Sequence, residues 1–129
     1  MTTAQISAAN LADWRQLAQA LHARFRTGNF ATGAAFVAAI TDAAEAGNHH
    51  PEVTLTYPFV ELRLLSHDVG GLTQRDVDLA RQISAIAADR GIAADPAAVV
   101  QLELGLDTAD YEKLGPFWAD VLGHTLDDR

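Results

Sequence analysis

Five histidines lie along a chain of 129 residues that has no cysteine, and three of them fall where a side chain could be aimed. His49 and His50 are adjacent, follow Gly47 and Asn48, and precede Pro51. His67 ends an apolar, alternating run just before Asp68-Val69-Gly70-Gly71. Imidazole titrates near neutrality, so one ring can donate a proton while another accepts one at the same pH. Two or three such rings within reach of each other make an acid–base site. Pro51 has a fixed φ and holds the residue before it extended, which limits how the two adjacent rings can point. A hairpin could return His67 to that pair. The plainer alternative for each ring is an ordinary surface or capping histidine, and three at element ends weigh against it.

Other chemistries fit less well. Glu45 and His49 are spaced i, i+4 at a helix end and could share a metal, but adjacent histidines in extended backbone point to opposite sides. No cysteine or further Glu/His cluster completes a shell, so no metal is expected. Ser66 beside His67 lacks the strained elbow of a serine nucleophile. The absence of cysteine removes disulfides, thiolate zinc sites, iron–sulfur clusters and cysteine nucleophiles. A formal charge of -8, with nine scattered Lys and Arg residues, would repel a phosphate backbone, so no nucleic acid is expected. No segment approaches the roughly 18 apolar residues of a membrane span. The N-terminal residues lack a basic start and an apolar run, so the cytoplasm is the expected compartment.

The elements that would position these rings can be read from periodicity. Residues 11–21 carry apolar side chains at 11, 14, 17, 18 and 21 after possible caps at Ser7 and Asn10, which predicts a helix. Residues 21–26 alternate as a half-buried strand that Thr27-Gly28-Asn29 breaks. Residues 30–46, with Phe30, Ala34, Val37, Ala38 and Ala44 apolar and no proline, predict a helix stopped at Gly47. Beyond Pro51, residues 53–66 predict a hairpin or bent strand pair. Val60, Leu62 and Leu64 share one face against Glu61, Arg63 and Leu65, and Tyr57 is expected in the core. Thr73 caps a helix bearing Val77, Leu79, Ala80, Ile83, Ile86 and Ala87 as far as Gly91. The order predicts an α+β fold, too poor in crossovers for a parallel sheet. After Ala94-Asp95-Pro96, residues 99–106 predict a strand and residues 109–122 a helix.

The run from Glu45 through His49-His50-Pro51 to Tyr57, His67 and Asp76 resembles the signature of the pterin-4a-carbinolamine dehydratases. Phe30, Phe36, Ser66-His67-Asp68, Gly71-Leu72-Thr73 and Leu79-Ala80 extend the likeness over about residues 11–91. The resemblance implies an antiparallel sheet of about four strands with helices packed on one face, assembled into a homodimer or homotetramer. It implies dehydration of 4a-hydroxytetrahydropterin to quinonoid dihydropterin, in tetrahydrobiopterin recycling and without a cofactor. The catalytic trio would be His49, His50 and His67, with His50 and His67 moving the protons and His49 positioning the ring. Asn48, Leu65, Ser66 and Asp68 would line the pterin, and Glu45, Arg75 and Asp76 would support the site. A pterin-dependent aromatic amino-acid hydroxylase would be the upstream partner. Two departures stand out: Ser66 replaces the usual threonine, and residues 14–21 are less turn-like than the family's first hairpin, so that helix is expected in place of one edge strand.

Residues 99–108, followed by Leu114, Phe117-Trp118 and Val121-Leu122-Gly123, resemble the opening βα unit of the vicinal oxygen chelate, or glyoxalase-like, superfamily. That module needs three more strands after its helix, and His124 alone cannot build its chelate site, so the segment reads as an incomplete module. The domains expected are thus residues 1–93, dehydratase-like, and 94–129, a strand–helix extension that packs on the first domain or on another subunit. Two other readings compete: a non-catalytic dimerisation or partner-binding module of the same fold, and a truncated glyoxalase-like protein that binds a divalent metal.

Overall fold

The computed structural model describes residues 1–126. Its order is α1 (Thr3–Ala8), β1 (Arg15–Leu17), β2 (Ala20–Arg26), α2 (Phe30–Gly47), β3 (Glu52–Leu55), β4 (Phe59–Leu64), α3 (Gln74–Asp89), β5 (Ala93–Ala94) and α4 (Tyr111–Leu122). The sheet is antiparallel throughout and runs β1-β2-β4-β3, with β5 also paired to β2. The α+β class and the sheet with helices on one face agree with the sequence.

The core forms where the alternation of β2 and β4 meets the helices. Leu21, Ala23 and Phe25 from β2 share one face with Val60, Leu62 and Leu64 from β4. Against it pack Phe36 and Ile40 of α2 and Val77, Ala80 and Ile83 of α3. Phe25 makes edge-on contacts with Trp14 and Phe36, at centroid separations of 6.2 and 5.3 Å, so one aromatic row ties the N-terminal hairpin to α2. Side chains of this size contribute roughly 1.5–3 kcal/mol each on burial.

Four sequence expectations give way. Residues 11–21 form no helix. The helix lies earlier, at Thr3–Ala8, closed by a Thr2/Gln5 capping box. Trp14 is then buried from a turn and β1 pairs with β2, so the edge strand is present. A helix-like spacing arose because Trp14 and Leu21 reach the same core from a turn and a strand. The reversal between β1 and β2 places Ala18 at φ 49, and no glycine, proline or asparagine announces that turn. In α2 the buried face is Gly33, Phe36, Ile40 and Ala44, while Phe30 is exposed. Tyr57 is in the β3–β4 turn and 68% exposed, not in the core. Residues 99–106 form no strand. The C-terminal strand is instead the short β5, and the expected helix follows as α4. Among the described residues no helix is long and apolar enough to cross a membrane.

Candidate active site

The C-terminus of α2 determines where His49 and His50 go. Helical backbone continues through Gly47, and it is Asn48, not Gly47, that turns left-handed, at φ 45 and ψ 42. Asparagine tolerates that region better than most residues that carry a Cβ. The amides of Asn48 and His49 close the helix end on Glu45 and Ala44 carbonyls. The chain then reverses, sending His49 inward and leaving His50 at the surface.

His49 meets Asp76, the third residue of α3, with Nε2 2.7 Å from Oδ1. Asp76 is fully buried. Its other oxygen accepts from Ser66 Oγ at 2.7 Å and from the Thr73 amide at 2.8 Å. The latter bond belongs to the capping box that starts α3. A carboxylate so placed accepts only, so His49 donates from Nε2 and its Nδ1 is the nitrogen left for other contacts. Ser66 Oγ also bonds Thr73 Oγ1 at 2.8 Å. Four side chains from the end of α2, the end of β4 and the start of α3 thus form one buried polar network, which low surrounding polarity strengthens when it is fully satisfied.

His50 Nε2 lies 2.7 Å from Glu45 Oε1 across the helix end, both groups exposed. His67 is exposed in the turn that follows β4, which the Ser66–Gly71 bridge closes. Asp68, in the same turn, accepts from Arg75 at 2.5 Å. That bond holds its carboxyl below the usual carboxylate range, with desolvation opposing and the charges of Arg75 and nearby His49 reinforcing the shift. Arg75 also donates to Thr73 Oγ1 at 3.4 Å. Leu65 is half-buried and Asn48 exposed beside these groups. The end of α2 and the turn after β4 therefore meet at one end of the sheet. His49, Ser66, Asp68, Arg75 and Asp76 are linked there by direct bonds or by charge, and Glu45 and His50 form a separate surface pair next to them.

Thr73 joins this network beyond the capping role that its sequence position suggested. The spacing Thr73-x-x-Asp76 is that of a capping box, in which the Asp76 carboxylate accepts from the Thr73 amide. His22 is a second residue the sequence did not single out. It lies on the sheet face away from the core, where its Nε2 is buried with no hydrogen-bond partner among the described residues. Burial, followed by the charge of Arg63, pushes its imidazole below the usual value.

The sequence pattern of the family described as pterin 4 alpha carbinolamine dehydratase matches residues 1–86. The chain belongs to the pterin-4a-carbinolamine dehydratase family. A relative from Thermosynechococcus vestitus, named as a pterin-4-alpha-carbinolamine dehydratase, is 42% identical over 79 residues, covering 61% of this chain and 83% of its own. One of the same name from Natronomonas pharaonis is 36% identical over 87 residues, covering 67% of this chain and 95% of its own. The crystal structure of a Brucella melitensis protein described as a transcriptional coactivator/pterin dehydratase superposes with a TM-score of 0.63 at 31% identity. The match covers 67% of this chain and 97% of that one. The dehydratase is accordingly a hydro-lyase acting on a pterin carbinolamine. The matched family pattern ends before β5 and α4.

Proposed function

We propose that the histidine cluster carries the dehydration. In a 4a-hydroxytetrahydropterin the N5 lone pair adjoins the carbon that bears the hydroxyl. One imidazolium protonates that hydroxyl, which leaves as water. A neutral imidazole takes the N5 proton, and the C4a–N5 double bond of the quinonoid dihydropterin forms. Glu45 Oε1, 2.7 Å from His50 Nε2, holds that ring at the helix end, and His50 is the acid. His67 hydrogen-bonds to no side chain among the described residues and is the base. His49, held by Asp76, positions the ring. The single observation that carries this reading is the buried His49–Asp76–Ser66 network. It commits a fully buried carboxylate to orienting one ring of the cluster.

Asn48, Leu65, Ser66 and Asp68 would line the pterin in this scheme, with Arg75 fixing Asp68. The same proposal includes tetrahydrobiopterin recycling in the cytoplasm, a hydroxylase upstream, a homodimer or homotetramer, and a dehydratase domain of residues 1–93 followed by an extension. The test is the dehydration rate of freshly generated 4a-carbinolamine, in chelator, for the wild type and for His50→Ala and His67→Ala. Loss of about 100- to 10,000-fold in each folded variant supports the mechanism. Wild-type rates in both variants would sink it. The description of the Brucella protein as a coactivator favours a second, partner-binding role, which these two variants would leave intact.

A further inference from the structure

Two hydroxyls stand between a cation and a buried carboxylate at the start of α3. Ser66 Oγ lies 2.7 Å from Asp76 Oδ2 and 2.8 Å from Thr73 Oγ1; Ser66 is buried and Thr73 half-buried. A carboxylate accepts and a guanidinium donates, so the hydrogens between them have one direction. Ser66 spends its single hydrogen on Asp76. The bond between the two hydroxyls must then be donated by Thr73. On its other side Thr73 Oγ1 meets the Arg75 amide at 3.3 Å and Arg75 Nε at 3.4 Å. Both are donors, so neither can take its hydrogen. Asp76 Oδ2, at 3.5 Å, is too far to compete with Ser66 for it. Arg75 is anchored in turn by Asp68 through Nη2. Donation thus runs one way, from Arg75 through Thr73 and Ser66 into Asp76, whose other oxygen takes the His49 Nε2 hydrogen.

We propose that Thr73 is a positioning residue of the dehydration: its hydroxyl, by donating to Ser66, sets how strongly Asp76 holds the His49 ring. This role rests on the histidine reading above, in which His49 positions the substrate. Hydrogen bonds in series polarise one another. A Ser66 hydroxyl that accepts from Thr73 donates more strongly to Asp76, and a carboxylate so occupied draws less on the imidazole hydrogen at its other oxygen. Removing the Thr73 hydroxyl reverses this. Ser66 loses its donor, its own bond to Asp76 weakens, and Asp76 pulls harder on His49 Nε2, shifting the ring. Helix capping is a separate duty of the same residue. Glycine begins helices about as well as threonine although it has no hydroxyl, whereas valine begins them poorly, so substitution can tell the two duties apart.

Full-length Thr73→Ser, Thr73→Gly and Thr73→Val are compared in the 4a-carbinolamine assay and by proton NMR of the imidazole N–H region. The His49 Nε2 hydrogen is the downfield line that His49→Gln removes. Thr73→Ser keeps the wild-type kcat and the wild-type line. Thr73→Gly keeps the wild-type melting midpoint but lowers kcat about two- to tenfold, the span of one neutral hydrogen bond, at unchanged KM, and moves the line further downfield. Thr73→Val does the same to kcat and line and also melts earlier. A Thr73→Gly protein with wild-type kcat and an unmoved line overturns the proposal, since Thr73 then serves only the helix start. So does a change confined to KM, which would put Thr73 against the substrate. His50→Ala and His67→Ala run beside these variants. If both keep the wild-type rate the histidine reading fails, while the line in Thr73→Gly still decides the link from Thr73 to His49 by itself.

Discussion

Asp76 shows how much one buried charge can organise. Its two oxygens bond three residues drawn from three elements, His49, Ser66 and Thr73, and replacing one oxygen by an amide NH2 leaves a donor facing a donor. Asp76→Asn should cost about 2–3 kcal/mol of stability, since hydrogen bonds to charged groups contribute roughly 1.5–3 kcal/mol and an unmatched buried donor adds to the loss. A urea titration measures this, and dehydration should slow as His49 loses its fixed orientation. Equal midpoints for variant and wild type would remove the network from the account of the site. His22 gives a second residue-level test. Its folded-state pKa is depressed, so its contribution is present in full above the unfolded value of about 6.5 and is lost as pH falls from there through the folded value. The facing groups, Arg63, Glu52, Glu61 and Gln101, leave burial as the leading cause. His22→Gln should therefore lose less stability than the wild type between pH 7.5 and 5.5, as compared by urea midpoints at the two pH values; an equal loss would show that its burial is without thermodynamic effect.

At the level of elements, the end of α2 matters more than its length. The left-handed Asn48 turns the chain so that consecutive histidines face opposite ways, one to Asp76 and one to solvent. Asn48→Gly should be neutral within a few tenths of a kcal/mol and Asn48→Val should cost about 1–3 kcal/mol, because a branched side chain is strained at positive φ. Thermal melts of the two variants compare them directly, and a neutral valine would show that the turn is set elsewhere. The sequence made most of this visible. The alternation of β4 and the Thr73 cap can be read from local pattern, because each matches its burial, and the helix over residues 30–46 can be read as a helix although its buried face, Gly33, Phe36, Ile40 and Ala44, is not the one its apolar spacing suggests. The first hairpin could not be read that way. Its turn uses Ala18, and Trp14 is buried through an indole bond to Ser84 on the distant α3, a tertiary contact that overrides local periodicity. The alternation of residues 99–106 is equally clear, yet pattern specifies a strand only where a neighbour exists to pair with it. Of the candidate site, the three histidines could be named from their positions at element ends, whereas Asp76 and Ser66 entered only through the family resemblance. That Thr73 closes the same network became apparent only once α3 was placed.

For the whole molecule, core and extension should respond differently to the same kind of damage. Phe25 is fully buried at the centre of β2, between Trp14 and Phe36, and Phe25→Ala should cost about 3–5 kcal/mol. Trp118→Ala, in a helix outside the core cluster, should leave the midpoint of dehydratase unfolding unchanged. Calorimetry of both variants checks the contrast, and a matching loss at Trp118 would mean that the extension shares the core's cooperativity. The capping box at the start of α3 has a consequence of another kind. Its carboxylate caps a helix and anchors a ring in one place, so under the proposed mechanism folding and turnover depend on the same atoms. A capping box alone would accept glutamate at that position. Here the shorter arm already meets His49 and Ser66 at 2.7 Å each, so the extra methylene of glutamate would displace both contacts.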